Sequence, residues 1–224
     1  MIAGVDGYKH GWIAAVDLGN GKTAVRTYAS FNALVEDTEL TQIAIDIPIG
    51  LLERGARACD REARRVLGRR QASSVFPAPI RAMLTARSWK AACRILFQAE
   101  RKQCSKQLWN ILPKIREVDA RMNRELQDRI REVHPEVSFA LMNGGKTMTS
   151  RKTTPAGRAE RLRLLKRHFK DLRSHLGDVG GARTDIIDAY ACLWTARRIF
   201  NSEAVAFANE SERDAKELRA EIVA

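Results

Sequence analysis

The sequence predicts an α/β domain in which a mixed five-stranded sheet is flanked by helices. Three observations support this class: short β-rich apolar segments fill residues 1–50, residues 53–130 have helical composition, and a further strand and more helices follow. At 224 residues and 45% hydrophobic, the chain can bury one core of this size. We therefore expect a single domain over residues 1–224.

The first three strands are predicted at residues 2–5, 12–16 and 23–28. Two glycines within residues 7–11 suit a tight reversal between the first and second strands. The run Gly19, Asn20 and Gly21 is a strong hairpin signal before the third strand.

A short helix and the fourth strand come next. Ser30 is a suitable N-cap for a helix over residues 31–36. Residues 43–47 form an apolar run typical of a buried central strand, which Pro48 and Gly50 end.

A basic helical insertion is predicted after the fourth strand, over about residues 53–130. Helical spacing occurs at residues 56–67, 89–104 and 117–131, and we expect Pro113 to interrupt between the last two.

The core is predicted to comprise residues 1–52 and 131–200. A fifth strand is expected over residues 132–141, around Pro135, and an amphipathic helix over residues 158–168. A last core helix over residues 185–200 has Thr184 as its expected cap. Residues 201–224 form a charged C-terminal tail, predicted as a surface helix.

Charge is unevenly distributed along the chain, whose formal net charge is +12. Residues 1–50 carry three basic and six acidic side chains, whereas residues 51–150 carry 21 and 10, and residues 151–224 carry 15 and 11. An acidic first segment beside a basic middle fits a metal-holding core next to a phosphate-binding surface. The simpler alternative is that arginines decorate solvated helices.

Other compositional features narrow the class of protein. The sequence has no apolar run long enough to cross a bilayer, so we expect no membrane partner. The opening residues do not have the pattern of a signal peptide. The four cysteines have no paired spacing, which favours free buried thiols over a zinc site and suggests a reducing cytoplasm.

Four aspartates stand where metal chemistry could use them. Asp6 ends one short apolar run, Asp46 ends another, and Asp185 and Asp188 lie three apart at the start of the last core helix. Strand ends and a helix start can bring distant carboxylates into one cleft, and such a cluster repels itself unless protons or divalent cations bind there.

Each aspartate also has a structural explanation. Asp6 could start a turn, Asp46 could cap a helix, and Asp185 could favour a helix N-terminus. Asp188 lies among apolar helix residues, where an unpaired charge is costly. Their order along the chain, taken together, favours chemistry.

The motifs of the chain resemble those of a known superfamily. The order of elements, with aspartates at the ends of the first and fourth strands and a D-x-x-D-A pair on a late helix, resembles the RNase H-like superfamily and within it the RuvC-like resolvases and nucleases. More narrowly, the chain resembles an uncharacterised family of predicted RNase H-like nucleases. The matching segments span roughly residues 1–200: GVDGYKHGW, IAIDIPIGLLE, CDREAR followed by SVFPAP, QLWNILPKIREVD, EVHPEVSF and DIIDAYACLWTA.

The resemblance implies hydrolysis of phosphodiester bonds by a two-metal-ion mechanism. Two Mg²⁺ or Mn²⁺ ions about 4 Å apart can activate water and stabilise the developing charge. Asp6 would bridge both ions, Asp46 would hold one, and Asp185 or Asp188 would hold the other.

Further candidates are less distinctive. Glu136, predicted on the fifth strand, is expected as an extra ligand or substrate contact, and His134 as a general acid or base or a phosphate contact. The alternative is that both residues only cap a strand end. The candidate phosphate contacts share a positive charge, although a solvated surface is the default explanation for each: Lys9, Lys114, Lys152 and Arg161.

Two other classes of protein remain open. A non-catalytic nucleic-acid-binding or assembly protein would use the same basic segment without metal. An actin-like kinase or ATPase also has a first strand ending in Asp-Gly, but we find no second or third phosphate loop. The sequence leaves open the type of nucleic acid and whether the protein is a homodimer.

Overall fold

A mixed five-stranded sheet lies at the centre of the computed structural model, which describes residues 1–177 and 182–224. Its strands are β1 (Ile2–Tyr8), β2 (Gly11–Gly19), β3 (Lys22–Tyr28), β4 (Gln42–Ile45) and β5 (Ile130–Glu132). The spatial order is β3-β2-β1-β4-β5. The predicted mixed α/β class and the first four strands are confirmed, with shifts of a few residues at their ends.

The directions of the strands place Asp6 and Asp46 at the same edge of the sheet. Strands β1 to β3 form an antiparallel meander, whereas β1, β4 and β5 are parallel neighbours. Val5 pairs with Ile45, and the Asp46 amide donates to the Val5 carbonyl at 3.0 Å. Asp6 and Asp46 therefore lie side by side just after the parallel pairing of β1 with β4 ends, at the carboxyl edge of this part of the sheet.

The helices of the described residues cover both faces of this sheet. They are α1 (Phe31–Glu36), α2 (Ala58–Gln71), α3 (Trp89–Glu100), α4 (Lys106–Arg121), α5 (Arg124–Arg129), α6 (Pro135–Met142), α7 (Pro155–Leu165) and α8 (Arg183–Phe200). The cap predicted for α1 is confirmed, since the Ser30 hydroxyl accepts from the Ala33 amide at 3.2 Å.

Helix α8 packs directly on β1. Gly4 makes this approach possible, because a Cβ at that position would lie 1.8 Å from the Leu193 backbone nitrogen. Apolar residues of α8, among them Ile187, fill this side of the sheet. On the other face, α1 and α4 bury Phe31 and Ile115 against the sheet.

Pro113 does not break the helical insertion where we predicted. It lies inside α4, which begins at Lys106 and continues to Arg121. Proline removes one helical hydrogen bond, but Pro113 is exposed, so water can solvate the carbonyl left free. Burial of Leu108, Leu112 and Ile115 holds the helix together through this point.

The predicted fifth strand over residues 132–141 is largely wrong. Strand β5 ends at Glu132, and α6 begins at Pro135, which occupies the first helical turn. Proline suits that position because its fixed φ is helical and it has no amide hydrogen to leave unpaired. Glu136 is therefore on a helix.

The predicted cap of the last core helix is also wrong. Helix α8 begins at Arg183, one residue before Thr184, and no side chain of the described part of the chain caps it.

The chain does not end in a surface helix. Residues 206–213 and 219–223 form an antiparallel pair, β6 (Ala206–Arg213) and β7 (Arg219–Val223). Ala220, Ile222 and Val223 are buried, and Val223 bridges to Val133 just beyond β5. The alternating apolar residues explain the strand, because they need a buried face that a solvated helix lacks.

Charged residues of this C-terminal segment are paired with the core. Glu221 accepts from Arg131 at 2.7 Å, and Asp214 pairs with Arg81. Residues 201–224 therefore belong to the folded domain. Within the described residues, no helix has both the length and the apolar character needed to cross a bilayer.

Candidate active site

A cavity of about 740 Å³ opens at the carboxyl edge of β1 and β4. Asp6 and Asp46 line it from the strand ends, and Lys114 lines it from α4. The segments over residues 70–77 and 148–153 complete its walls. The cleft therefore lies between the sheet edge and the helical insertion.

Asp6 follows the buried residue Val5 at the end of the apolar part of β1. Its Oδ1 accepts from the Gly7 amide at 2.6 Å. Burial raises the pKa of Asp6 well above 3.8, and the negative charges of Asp46 and Asp188 raise it further, while Lys152 opposes them. Asp6 thus lies in the field of the other two carboxylates.

Asp46 has a similar environment on the neighbouring strand. Burial raises its pKa, His134 and Lys152 lower it, and the charges of Asp188 and Glu136 add to the increase. The two strand-end aspartates and α8 therefore form one acidic cluster, which we define as Asp6, Asp46, Asp185 and Asp188.

The members of the acidic cluster on α8 differ in exposure. Asp188 is buried, and its Oδ2 accepts from Lys152 Nζ at 2.8 Å. Its Oδ1 is also buried and has no hydrogen-bond partner among the described residues. Asp185 is half-buried, and burial followed by the charge of Asp188 raises its pKa. Asp188 thus has one carboxylate oxygen available to a ligand.

Lys114 reaches the cleft from α4. Its ammonium donates to the Gly11 carbonyl and lies 4.4 Å from the centre of the Trp12 ring. Burial lowers the pKa of Lys114, while Glu117, Asp6 and Asp185 oppose that shift. Gly7 leaves room for this side chain, because a Cβ there would lie 2.8 Å from Lys114 Cδ.

His134 lines the cleft just before α6. Its Nε2 lies 3.2 Å from the Ser74 carbonyl oxygen, which can only accept, so Nε2 carries the hydrogen. Nδ1 is buried and has no partner among the described residues. In the neutral ring Nδ1 is therefore an unoccupied proton acceptor.

Glu136 and Arg161 both line the cavity, where they contact each other. The two buried side chains form a two-point ion pair, with Arg161 Nε 2.9 Å and Nη2 2.6 Å from the Glu136 carboxylate oxygens. Arg161 Nη1 donates to the carbonyls of Ser150 and Gly157. This pair joins α6 to α7, so each side chain already has a charged partner in this structure.

Lys9 does not join the cleft. It is exposed in the turn between β1 and β2, and it is not among the described side chains that line the cavity. The solvated-turn interpretation therefore fits Lys9 better than the predicted phosphate contact.

Sequence reasoning missed a buried ion cluster beneath the cleft. Arg57 donates to Asp60 at 2.6 Å and to both Glu132 oxygens at 2.7 and 2.6 Å. Asp60 also accepts from the Ala78 amide, and Glu132 from the Ile49 amide. The segment CDREAR contains Asp60, but nothing in the sequence pairs it with a glutamate 72 positions later.

The rim residues Arg70 and Arg151 were also missed. Both are exposed cations that line the cavity. Arg70 lies in the last turn of α2, after the non-helical Gly68, and Arg151 lies on the segment between α6 and α7, so no continuous periodic pattern indicates which way either side chain faces.

The carboxylates are not preassembled around a metal. Over residues 1–177 and 182–224, no group of three or more His, Cys, Asp or Glu side chains is arranged so that it could hold a metal ion. The Lys152 ammonium instead contacts the acidic cluster through Asp188.

Together, these features define a mixed α/β domain with a partly buried acidic cluster at the carboxyl edge of its sheet. A family model described as "Protein of unknown function (DUF429)" matches residues 4–213, and the chain belongs to that family. The matched region contains the whole acidic cluster. No curated protein matches the chain, and no solved structure matches it.

Proposed function

We propose that this protein is a nuclease of the RNase H-like, RuvC-like type that hydrolyses phosphodiester bonds of a nucleic acid with divalent metal ions. The observation that carries the proposal is the meeting of Asp6 and Asp46, from adjacent parallel strands, with Asp188 from the helix packed on them. A purely structural role does not explain why Asp6 and Asp46, whose pKa values are raised by burial and by neighbouring carboxylates, lie close to the buried Asp188.

The donor atoms of the acidic cluster suit a hard divalent cation, and the described carboxylates would have to move closer together to bind one. Carboxylate oxygens are the ligands that Mg²⁺ and Mn²⁺ prefer. Asp188 Oδ1 is buried with no partner among the described residues, so it is an unused acceptor. Asp6, Asp46 and Asp188 would hold the metal, with Asp185 as a further carboxylate. When bound, divalent ions supply an activated water and stabilise charge on the phosphoryl oxygens.

Other side chains of the cleft have roles of their own. Arg70 and Arg151 are exposed at the cavity and can bind phosphate oxygens of a substrate strand. Lys114, half-buried behind Gly7, adds positive potential close to Asp6. His134 Nδ1 can accept a proton while Nε2–H remains bonded to Ser74, so the ring keeps its orientation.

Loss of a strand-end carboxylate tests the proposal. Purified protein with Mg²⁺ or Mn²⁺ is assayed on labelled single-stranded DNA, single-stranded RNA, duplex, hybrid and branched substrates. We expect cleavage of at least one substrate, and we expect Asp46→Asn to reduce its rate more than about 100-fold by removing a metal ligand.

The matched control is Asp128→Asn, which makes the same chemical change at an exposed position on α5. It should cleave at the wild-type rate. The absence of cleavage across the whole panel, or equal rates for Asp46→Asn and wild type, would refute the nuclease.

A second candidate is a nucleic-acid-binding protein without catalysis. It is favoured by the Lys152–Asp188 ion pair, which already neutralises part of the acidic cluster without metal. Salt-sensitive binding that a chelator does not change, together with no cleavage, would favour this alternative.

A further inference from the structure

Lys152 contacts the acidic cluster from a segment whose backbone is fixed. The Glu160 carboxylate accepts from the Thr149 amide at 2.9 Å and from the Ser150 amide at 3.0 Å. Arg161 donates to the Ser150 carbonyl at 3.1 Å. Gly157 allows α7 to approach this segment, because a Cβ there would lie 2.0 Å from the Arg151 carbonyl oxygen. The residues before Lys152 are thus held at the cleft.

The side chain of Lys152 is less constrained than its backbone. It is 46% exposed, whereas the Asp188 side chain that it contacts is 2% exposed. The Lys152 ammonium lies 2.8 Å from Asp188 Oδ2, and the partial exposure of the Lys152 side chain allows it to rotate away.

We propose that Lys152 is a displaceable internal cation: its ammonium neutralises the acidic cluster while no divalent ion is bound, and an incoming ion displaces it from Asp188. The inference rests on the proposed metal-dependent function. One ammonium does not balance the charges of Asp6, Asp46 and Asp188, and Asp188 Oδ1 has no partner among the described residues. A divalent ion offers more charge and can bind several oxygens at once.

Displacement also has a consequence for substrate binding. A freed Lys152 would be tethered at the cleft beside the rim residue Arg151. There its charge can meet a phosphate, so that metal uptake and substrate affinity reinforce each other by linkage.

The test measures binding of Mn²⁺ alone, by calorimetry, in the full chain without nucleic acid. Lys152→Met keeps the apolar stem and removes the competing charge. We expect it to bind Mn²⁺ about tenfold more tightly than wild type, because the ion no longer has to break an ion pair. Lys152→Arg keeps the charge and should bind Mn²⁺ close to wild-type affinity or more weakly.

The control is Lys146→Ala, which removes one positive charge from an exposed position on the same segment. It should leave Mn²⁺ affinity within about twofold of wild type, because screening weakens exposed, distant charges. If wild type binds Mn²⁺ and Lys152→Met binds it no more tightly, the displaceable cation is refuted and the nuclease stands. If neither protein binds Mn²⁺, both the inference and the metal-dependent function are refuted. Thermal melting of each variant confirms that it is folded.

Discussion

At the scale of single residues, the acidic cluster opposes folding. Burial and mutual repulsion raise the pKa of both Asp6 and Asp46, which means that the folded state disfavours their ionised forms. Lys152 offsets part of this penalty through Asp188. Functional sites often retain such unfavourable charges because the ligand, here a cation, restores the balance.

The stability of Asp6→Asn should therefore depend on pH in a defined direction. Near pH 3, Asp6 is protonated in both folded and unfolded chains, and the variant should melt like wild type. Above a pH of about 3.8, Asp6 ionises in the unfolded chain but stays protonated in the folded chain, because its pKa is raised there. The free energy of unfolding of wild type therefore falls as the pH rises from 3.8 to the raised pKa of the folded state. At pH 7 without metal, Asp6→Asn should melt at a higher temperature.

Thermal unfolding in a chelating buffer at several pH values checks this prediction. Each kcal/mol that Asp6→Asn adds to the free energy of unfolding should raise the melting temperature by about 2–4 °C in a chain of this size. Asp128→Asn, at an exposed position, should show no such pH-dependent gain. A variant that is destabilised at pH 7 would mean that Asp6 makes favourable contacts outweighing the repulsion.

At the scale of elements, the cluster depends on how closely α8 approaches β1. Asp188 is held against the strand ends because Gly4 lets the helix backbone touch the strand. The ion pair between Glu136 and Arg161 fixes α6 against α7 and so supports the segment that carries Lys152. These two contacts position catalytic candidates that lie far apart in the chain.

Gly4→Ala should separate α8 from β1. The added methyl group would collide with backbone atoms of α8, 1.8 Å away at Leu193, and backbone cannot rotate aside as a side chain can. We expect a loss of about 1–3 kcal/mol or more from the free energy of unfolding, measured by urea denaturation, with weaker Mn²⁺ binding as Asp188 moves.

Gly177→Ala is the matched control for this substitution. Among the described residues, a Cβ at Gly177 would meet no atom within 4 Å, so the stability of this variant should stay close to wild type. Equal effects of the two substitutions would show that the close packing of α8 on β1 does not limit stability.

At the scale of the whole molecule, the parts that follow from local pattern were predictable. The apolar runs before Asp6 and Asp46, the hairpin glycines and the Ser30 cap each depend on neighbouring residues only. Helix α6 was mistaken for a strand because its burial on nearly every side removes the helical periodicity from its sequence. The C-terminal strands depend on partners such as Arg131 and Val133, about 90 residues earlier.

The uneven charge of the chain leads to the last prediction, which concerns the nucleic-acid partner. The net charge of +12 includes cations at the cleft and cations on remote helices, and only the former should contact a strand entering the acidic site. Binding of a fluorescent single-stranded oligonucleotide is measured in the Asp46→Asn variant, which should not cleave it. The logarithm of the association constant should fall linearly with the logarithm of the salt concentration. Arg151→Ala should reduce the magnitude of that slope by about 0.7, which is the change expected when one phosphate contact with a single strand is lost.

Arg94→Ala separates a local contact from a general effect of charge. Arg94 is exposed on α3 and is not among the described residues that line the cavity. Its removal lowers the net charge as much as Arg151→Ala does, yet it should leave the salt dependence unchanged. Identical slopes for the two variants would mean that nucleic acid binds over the diffuse basic surface, and binding would then be independent of the acidic cleft.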